Sequence, residues 1–302
     1  MANFSLPLPE KARRGLTWRR LRNALRSPIE IAKNIPFWWN DEVSDCPHIF
    51  VMGPPRSGTT LVKNVIQSHT EVCGVDGETW FFLRKNIAGF RHSSIPDEEM
   101  RRLIRSSQSI TELFDQFATR ICREKGGARF LEKTPEHALE LNYLLDHFPS
   151  ADIVFVVRDP RDGLRSARNF LGYWATLPDE DRTGGYIATW KECVEAYRRH
   201  AGNAAVKLIR YEDFCRKPHE TLRRITGAIG LTVQEHQLDP TRYGATSETK
   251  VDGHARLRNP ITPESVGKWQ DELSGETIAR VEKALREDMV TLGYSLHNQQ
   301  LM

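Results

Sequence analysis

A hydrophobic run that breaks into a Gly/Pro/Ser turn and restarts as an apolar helix occupies Phe50 to Val62, FVMGPPRSGTTLV. Such a turn aims backbone N–H groups inward above a helix N-terminus, and both features favour a bound phosphate. It almost spells the phosphate-loop pattern GxxxxGK[ST]. Gly53, Gly58 and Thr60 are in register, but the lysine position holds Thr59. That lysine is the group that reaches the β- and γ-phosphates of a nucleoside triphosphate, so this cradle suits a phosphate outside ATP or GTP. Its cation is Arg56, three residues earlier.

A second segment, Asp152 to Phe170, reads DIVFVVRDPRDGLRSARNF: a continuous apolar strand, then Arg158, a Pro/Asp/Gly turn and a helix carrying Ser166. Together PRSGTT and VRDPRDxxxS resemble the two cofactor-binding motifs of the sulfotransferases that use 3′-phosphoadenosine 5′-phosphosulfate (PAPS). EKTP at 132–135, RYEDF at 210–214, GKW at 267–269 and LGY at 292–294 match later landmarks of that family in order. The resemblance spans roughly 48–294 and is to the branch with Arg in the first loop, which includes the protein-tyrosine and many bacterial and carbohydrate sulfotransferases.

The resemblance implies roles. Arg56, Ser57, Gly58, Thr59, Thr60 and Leu61 would cradle the 5′-phosphosulfate, with Arg56 neutralising the leaving phosphate. Arg158 and Ser166 would hold the 3′-phosphate, Arg158 by a bidentate grip. Tyr211 corresponds to an adenine-contacting Tyr, and Arg256, Arg258 and Lys268 would close over the phosphates, in the region that departs most from the family. Sulfuryl transfer to a hydroxyl resembles phosphoryl transfer, with charge growing on the leaving oxygen. It calls for aimed donors and a base. It has no obligatory metal, and the sequence has no obvious carboxylate cluster to hold one. Glu78, in CGVDGETW, is the candidate base, since the tyrosine-sulfating branch has a catalytic Glu followed by Thr in a similar segment. Trp80, Phe81 and Phe82 could wall it off and raise its pKa; alternatively it belongs to the first turn of a helix. His137 is the other candidate base. Lys133 resembles a transition-state lysine, or else is a surface partner of Glu132 or Glu136. Asp159, Arg161 and Asp162 read as turn and capping residues.

Composition bounds the rest. A chain of 302 residues with 39% hydrophobic and 27% charged content fits one α/β globular domain. No apolar run approaches the ~18 residues of a membrane span. Residues 1–40 hold eight Lys/Arg and two Asp/Glu, so the net +3 comes from a basic N-terminal extension, 1–45, while the body is slightly acidic. Nucleic-acid binding is disfavoured accordingly. Within the extension Trp18, Leu21, Leu25 and Ile29 recur at helical spacing among arginines. That suits either an interfacial helix on anionic lipid or an arm packed on its own domain or a partner subunit. Five scattered cysteines without CxxC spacing suggest a reducing cytoplasm with no disulfides.

The sulfotransferase domain, 46–302, alternates strand and helix, which predicts a central parallel sheet with helices on both faces in a P-loop-like fold. Strands are expected at 48–52, 72–75, 128–132, 152–157 and 205–210. Helices are expected at 58–68, 78–88, within 96–125, and at 136–147, 162–171, 185–201, 218–229 and 275–291. Residues 239–263 read as a long loop. Gly53, Lys133, Arg158 and Tyr211 then all fall at strand C-termini, where such sheets bind ligands. The chemistry implied is a PAPS-dependent sulfotransferase acting on a hydroxyl acceptor (sugar, lipid, phenol or natural product), with aromatic residues near Glu78 and Tyr173–Trp174 lining the pocket. A P-loop kinase and a non-catalytic relative are the alternatives.

Overall fold

The computed structural model describes residues 34, 35, 37, 41–84, 86–169, 179–244 and 255–297, with the side chains of 179–181, 255 and 256 excepted. The N-terminal extension therefore lies almost wholly outside the described residues, as do Tyr173 and Trp174. Among the described residues five strands form one all-parallel sheet. They are β1 (Ile49–Met52), β2 (Val72–Gly74), β3 (Arg129–Lys133), β4 (Asp152–Val157) and β5 (Val206–Arg210), in the order β2-β3-β1-β4-β5. Val51 pairs with Lys133 on one side and Val154 on the other, so β3, β1 and β4 end side by side.

The central strand β1 is wholly apolar and β4 nearly so, because both faces are covered, while β3 and β5 carry charged residues at their ends. Alternate residues point to opposite sides. Phe50, Met52, Ile153, Phe155 and Val157 enter one core cluster, while Ile49, Val51, Val154 and Val156 enter the other. The first cluster takes in α3 (Ile110–Lys125), α4 (Leu141–His147), α5 (Pro160–Arg168), α6 (Asp179–Arg198) and α11 (Gly275–Thr291). The second is covered by α1 (Thr59–Gln67), α7 (Tyr211–Arg216) and α8 (Pro218–Ala228). The region 96–125 divides into α2 (Asp97–Ser106) and α3, whose first turn is capped by Ser109 Oγ accepting from Glu112 N–H at 2.9 Å. No helix among the described residues is long and apolar enough to cross a membrane.

Three expectations need correction. The helix expected at 78–88 is absent among the described residues of that segment, whose regular structure is a 3-10 turn at Phe81–Leu83. Gly77 and Trp80 both adopt positive φ (80° and 55°), a conformation that cannot propagate a right-handed helix. The loop expected at 239–263 contains α9 (Pro240–Tyr243) and a 3-10 turn, Ala255–Arg258. The reading of no disulfides also fails, since Cys73 on β2 is bonded to Cys122 on α3, 49 residues away. Packing of α3 against β2 brings their Cα atoms to 5.4 Å, a proximity no local spacing could reveal. Cys46, Cys193 and Cys215 are free thiols. A short helix, α10 (Trp269–Glu272), precedes α11.

Candidate active site

The turn after β1 is shaped by close approach. Gly53 has φ 146°, and a Cβ there would lie 2.0 Å from the Val156 carbonyl oxygen. At Gly58 (φ 87°) a Cβ would lie 2.3 Å from the Tyr211 ring. Only glycine lets this loop lie against β4 and α7. Arg56, at φ 64°, is held in the left-handed region in which ordinary residues are strained, as is common in ligand-binding loops. α1 starts directly after Gly58 with no side-chain cap and no acidic residue in its first turn. Its leading N–H groups and positive dipole end therefore remain available to an anion.

Two guanidinium groups converge on this cradle. Arg56 Nε donates to Ser166 Oγ at 3.2 Å, and Arg158 donates to the Arg56 carbonyl (3.4 Å) and the Ser265 carbonyl (2.5 Å). Arg158 also lies 4.5 Å above the centre of the Tyr211 ring, whose hydroxyl bonds Ser265 Oγ at 2.7 Å. Burial, and after it the charge of Arg158, press the Arg56 guanidinium below its ordinary pKa. Arg158 forms no ion pair among the described residues, and its Nε is buried without a hydrogen-bond partner, as is Ser57 Oγ. Buried donors left unsatisfied beside crowded positive charge mark a site completed by an anion. The residues present thus fit a phosphate-bearing nucleotide.

Glu78 lines the same cavity as the cradle, and its charge acts on Arg56. Its Oε1 accepts from Lys133 Nζ at 3.1 Å; the lysine side chain is 1% exposed and the glutamate 29%. Lys133 therefore underlies Glu78 and is no surface residue. The stretch around Glu78 is pinned from below. Buried Glu132 accepts from Thr79 Oγ1 (2.8 Å), Thr134 Oγ1 (2.7 Å) and His137 Nδ1 (2.8 Å), and Thr134 Oγ1 accepts from Trp80 N–H (3.1 Å).

The cavity is lined by Arg56, Gly58, Thr59, Thr60, Leu61, Glu78, Arg158, Ser166 and Tyr211, which brings most of the candidate site residues together. Others fall elsewhere. Ser57 is buried behind the loop and Lys133 beneath Glu78. His137 is fully buried with both ring nitrogens engaged, Nδ1 by Glu132 and Nε2 by Phe82 N–H, which removes it as a candidate base. Phe81 and Phe82 pack into the core, so the apolar wall expected around Glu78 reduces to Trp80 and Leu83. Arg258 is exposed and Lys268 half-buried; neither lines the cavity, whereas Leu257, Asn259 and Ile261 from that segment do. The Arg256 side chain lies outside the described residues. Asp159 caps α5, Arg161 pairs with Asp159 and Glu282, and Asp162 accepts from Gly267 and Trp269 N–H, all structural roles.

Sequence reasoning missed Glu136, directly after EKTP. It lines the cavity, and burial followed by the neighbouring Glu78 charge pushes its carboxyl up to about 7. It also missed one face of α6, where Gly185, Ala188, Thr189, Glu192, Glu195 and Ala196 recur at helical spacing along the cavity wall.

Comparison with known proteins agrees with this architecture. The profile described as "Sulfotransferase family" matches residues 47–235. Protein-tyrosine sulfotransferase 1 of Danio rerio is 24% identical over 92% of this chain and 80% of its own length. The nodulation protein NoeE of Sinorhizobium fredii is 25% identical over 84% and 67%. Against the protein-tyrosine sulfotransferase of Drosophila melanogaster, at 22% identity, the chain spans about half (49%) of the relative's length. Among solved structures, the sulfotransferase domain of the Synechococcus PCC 7002 olefin synthase superposes with a TM-score of 0.65 at 17% identity, covering 85% of this chain and 99% of that one. Mouse sulfotransferase SULT7A1 complexed with PAP superposes at 0.52 and 14% identity, covering 82% and 86%. With the profile covering well over half of the chain, the protein belongs to the sulfotransferase family.

Proposed function

We propose that this protein transfers the sulfuryl group of PAPS to a hydroxyl acceptor. The observation that carries this reading is the convergence of Arg56, Arg158 and the α1 N-terminus on one cavity that Glu78 also lines. PAPS supplies an activated sulfuryl group on its 5′-phosphate and a second phosphate at the 3′ position. Arg56, with the N–H groups from Gly58 to Leu61 and the Thr59 and Thr60 hydroxyls, would hold the 5′ end and stabilise charge on the departing phosphate oxygen. Arg158 and Ser166 would hold the 3′-phosphate, and Tyr211, locked beneath Arg158, would shape the adenine side.

Glu78 would take the proton of the acceptor hydroxyl as the new sulfur–oxygen bond forms and the bond to the phosphate breaks. Its contact with Lys133 steadies the side chain in a cavity-facing position. The product left in the cradle is 3′-phosphoadenosine 5′-phosphate (PAP).

A P-loop kinase is the reading to set against this one, and it is disfavoured by Thr59 in the lysine position. Thermal unfolding with PAP or with ATP and Mg²⁺ separates the two. PAP at one hundred times its dissociation constant should add about 2.7 kcal/mol of stability, with little effect from ATP and Mg²⁺. Stabilisation by ATP and Mg²⁺ alone would overturn the assignment.

A further inference from the structure

A second cluster of chemistry-bearing side chains lies away from the cavity, where the chain enters β1. Cys46, His48 and Asp115 bring a thiol, an imidazole and a carboxylate together, with their ligand atoms all within 4.8 Å of one another. Only Pro47 separates the first two. His48 N–H donates to the Cys46 carbonyl at 2.8 Å, closing a three-residue turn over that proline. Asp115 comes from α3, which packs on β2 and β3 and so arrives at the same place.

The surroundings hold these groups in position. The buried His48 ring stands edge-on to Phe50, Phe114, Phe130 and Phe148, and its Nε2 meets Asp115 Oδ1 at 2.7 Å. Ser44 Oγ donates to the same carboxylate oxygen at 2.9 Å and accepts from Cys46 N–H at 3.1 Å. Ser44 is itself anchored by its N–H, which donates to the His147 carbonyl at 2.8 Å. The Cys46 thiol, half-buried and outside the disulfide, is within hydrogen-bonding reach of Ser44 and Asp115. A nucleophilic thiol needs the imidazole beside its sulfur and the carboxylate behind the ring. Here the carboxylate takes the contacts of both.

We infer that Cys46, His48 and Asp115 bind a divalent ion of the Zn²⁺ type, which ties the segment leading into β1 to α3. Thiolate, imidazole and carboxylate are the S, N and O donors that Zn²⁺ takes, whereas Mg²⁺ and Ca²⁺ take oxygen alone. Bonds of about 2.0–2.3 Å set the donors of a tetrahedral ion roughly 3.3–3.8 Å apart. That spacing falls between the 2.7 Å of the His48–Asp115 contact and the 4.8 Å limit of the set, so small side-chain shifts suffice. On binding, the Cys46 thiol gives its proton to solvent, and His48 coordinates through Nε2 as the tautomer protonated on Nδ1. Ser44 keeps its bond to the carboxylate, the kind of outer contact that orients a ligand. Half-buried Cys46 and Asp115 give the ion a path from solvent, and water would fill the fourth position. β1 runs from this cluster to the phosphate cradle, so the ion takes no part in transfer, and the inference does not depend on the sulfotransferase reading.

The test titrates the full chain, without a histidine tag, with Zn²⁺ by calorimetry and with Co²⁺ by absorption. One ion should bind per chain, and Zn²⁺ should raise the melting temperature. Co²⁺ should give a thiolate charge-transfer band and the intense visible bands of a four-coordinate site. Mg²⁺ and Ca²⁺ in hundredfold excess should neither bind there nor displace Zn²⁺. Ser44→Ala keeps all three ligands and should weaken Zn²⁺ by about 10–100-fold, the usual loss for an outer contact. Cys46→Ser should weaken it further and abolish the charge-transfer band, while its melting temperature without metal matches the wild type. His48 is buried, so Asp115→Asn, at a half-buried position, provides the second ligand deletion and should also weaken Zn²⁺ more than Ser44→Ala does. Absence of saturable Zn²⁺ uptake by the wild type, uptake undiminished in Cys46→Ser, or displacement by Mg²⁺ overturns the inference.

Discussion

Glu78 and Glu132 belong to one short network at the ends of adjacent elements, yet they are placed for opposite work. Glu132 is 1% exposed and accepts three hydrogen bonds, two from threonine hydroxyls and one from His137. Glu78 is 29% exposed, accepts one bond from Lys133, and borders the cavity. A carboxylate saturated by fixed donors has no capacity left for a substrate proton and serves to tie chain segments together. One that keeps a free oxygen and a path to solvent can take a proton. On the function proposed above, the buried acid–imidazole pair, which looks the more catalytic by residue type, is the scaffold, and the acid–lysine pair above it would be the reactive one.

The sharpest test exchanges the two. Glu78→Gln should reduce turnover ~10²–10⁴-fold, the usual loss for a general base, while PAP affinity and melting temperature change little. The defect should shrink with an acidic phenol, which needs less help to ionise. Full activity in Glu78→Gln would remove the base from this position, and the cavity would then offer Glu136 as the other carboxyl beside it. Glu132→Ala should do the reverse. It strands the His137 ring and two hydroxyls in the interior and should cost about 3–5 kcal/mol of stability, read from denaturant unfolding. If activity per folded molecule fell as far in Glu132→Ala as in Glu78→Gln with stability intact, the distinction between scaffold and reactive pair would collapse.

The alternation of strand and helix was readable because each element is encoded locally. β4 (Asp152–Val157) and α11 (Gly275–Thr291) lie where periodicity places them. The turn between β1 and α1 was equally readable, since the glycines that shape it lie within one short segment. Non-local features were not. The helix expected around Glu78 gave way to a loop because Gly77 and Trp80 turn the chain and Glu132, from β3, ties it down. His137 looked like a base until packing placed both ring nitrogens in bonds. Which face of α6 lines the cavity, and that Cys73 meets Cys122, depend on docking across the sheet. Single-chain spacing carries no record of either.

The donor end supplies a contrast of smaller size. Arg158→Ala removes one buried guanidinium from a group of anion donors and should weaken PAP binding by about 1.5–3 kcal/mol, the value of hydrogen bonds to a charged group. Ser166→Ala should cost less, since its hydroxyl also receives the Arg56 Nε–H at 3.2 Å and acts partly by orienting that side chain. Both losses should appear in Kd more than in kcat, because ground-state and transition-state contacts to the 3′-phosphate are alike. Discrimination between PAP and 5′-AMP, followed by calorimetry, should decline in step; undiminished discrimination in both variants would place the 3′-phosphate elsewhere.

The smallest effect lies in the pH dependence of stability, where the two kinds of carboxyl should act with opposite sign. Burial raises the Glu132 carboxyl, but His137 and the Thr134 and Thr79 hydroxyls lower it further, leaving it below its ordinary 4.5. A group depressed in the folded state adds stability above its unfolded value and loses it as acid protonates the native form. Its contribution should therefore disappear as pH falls below 4.5. Glu136 runs the other way. Raised from 4.5 to about 7, it prefers to be protonated in the fold, so its ionisation draws stability away as pH climbs between those values. Glu136→Gln, neutral at every pH, should match the wild type in melting temperature in acid, become progressively the more stable of the two as pH climbs from 4.5 to about 7, and keep a constant lead above that. Calorimetric unfolding of both proteins across that range reads the difference directly. A gap that does not change with pH would show that Glu136 ionises like a surface glutamate.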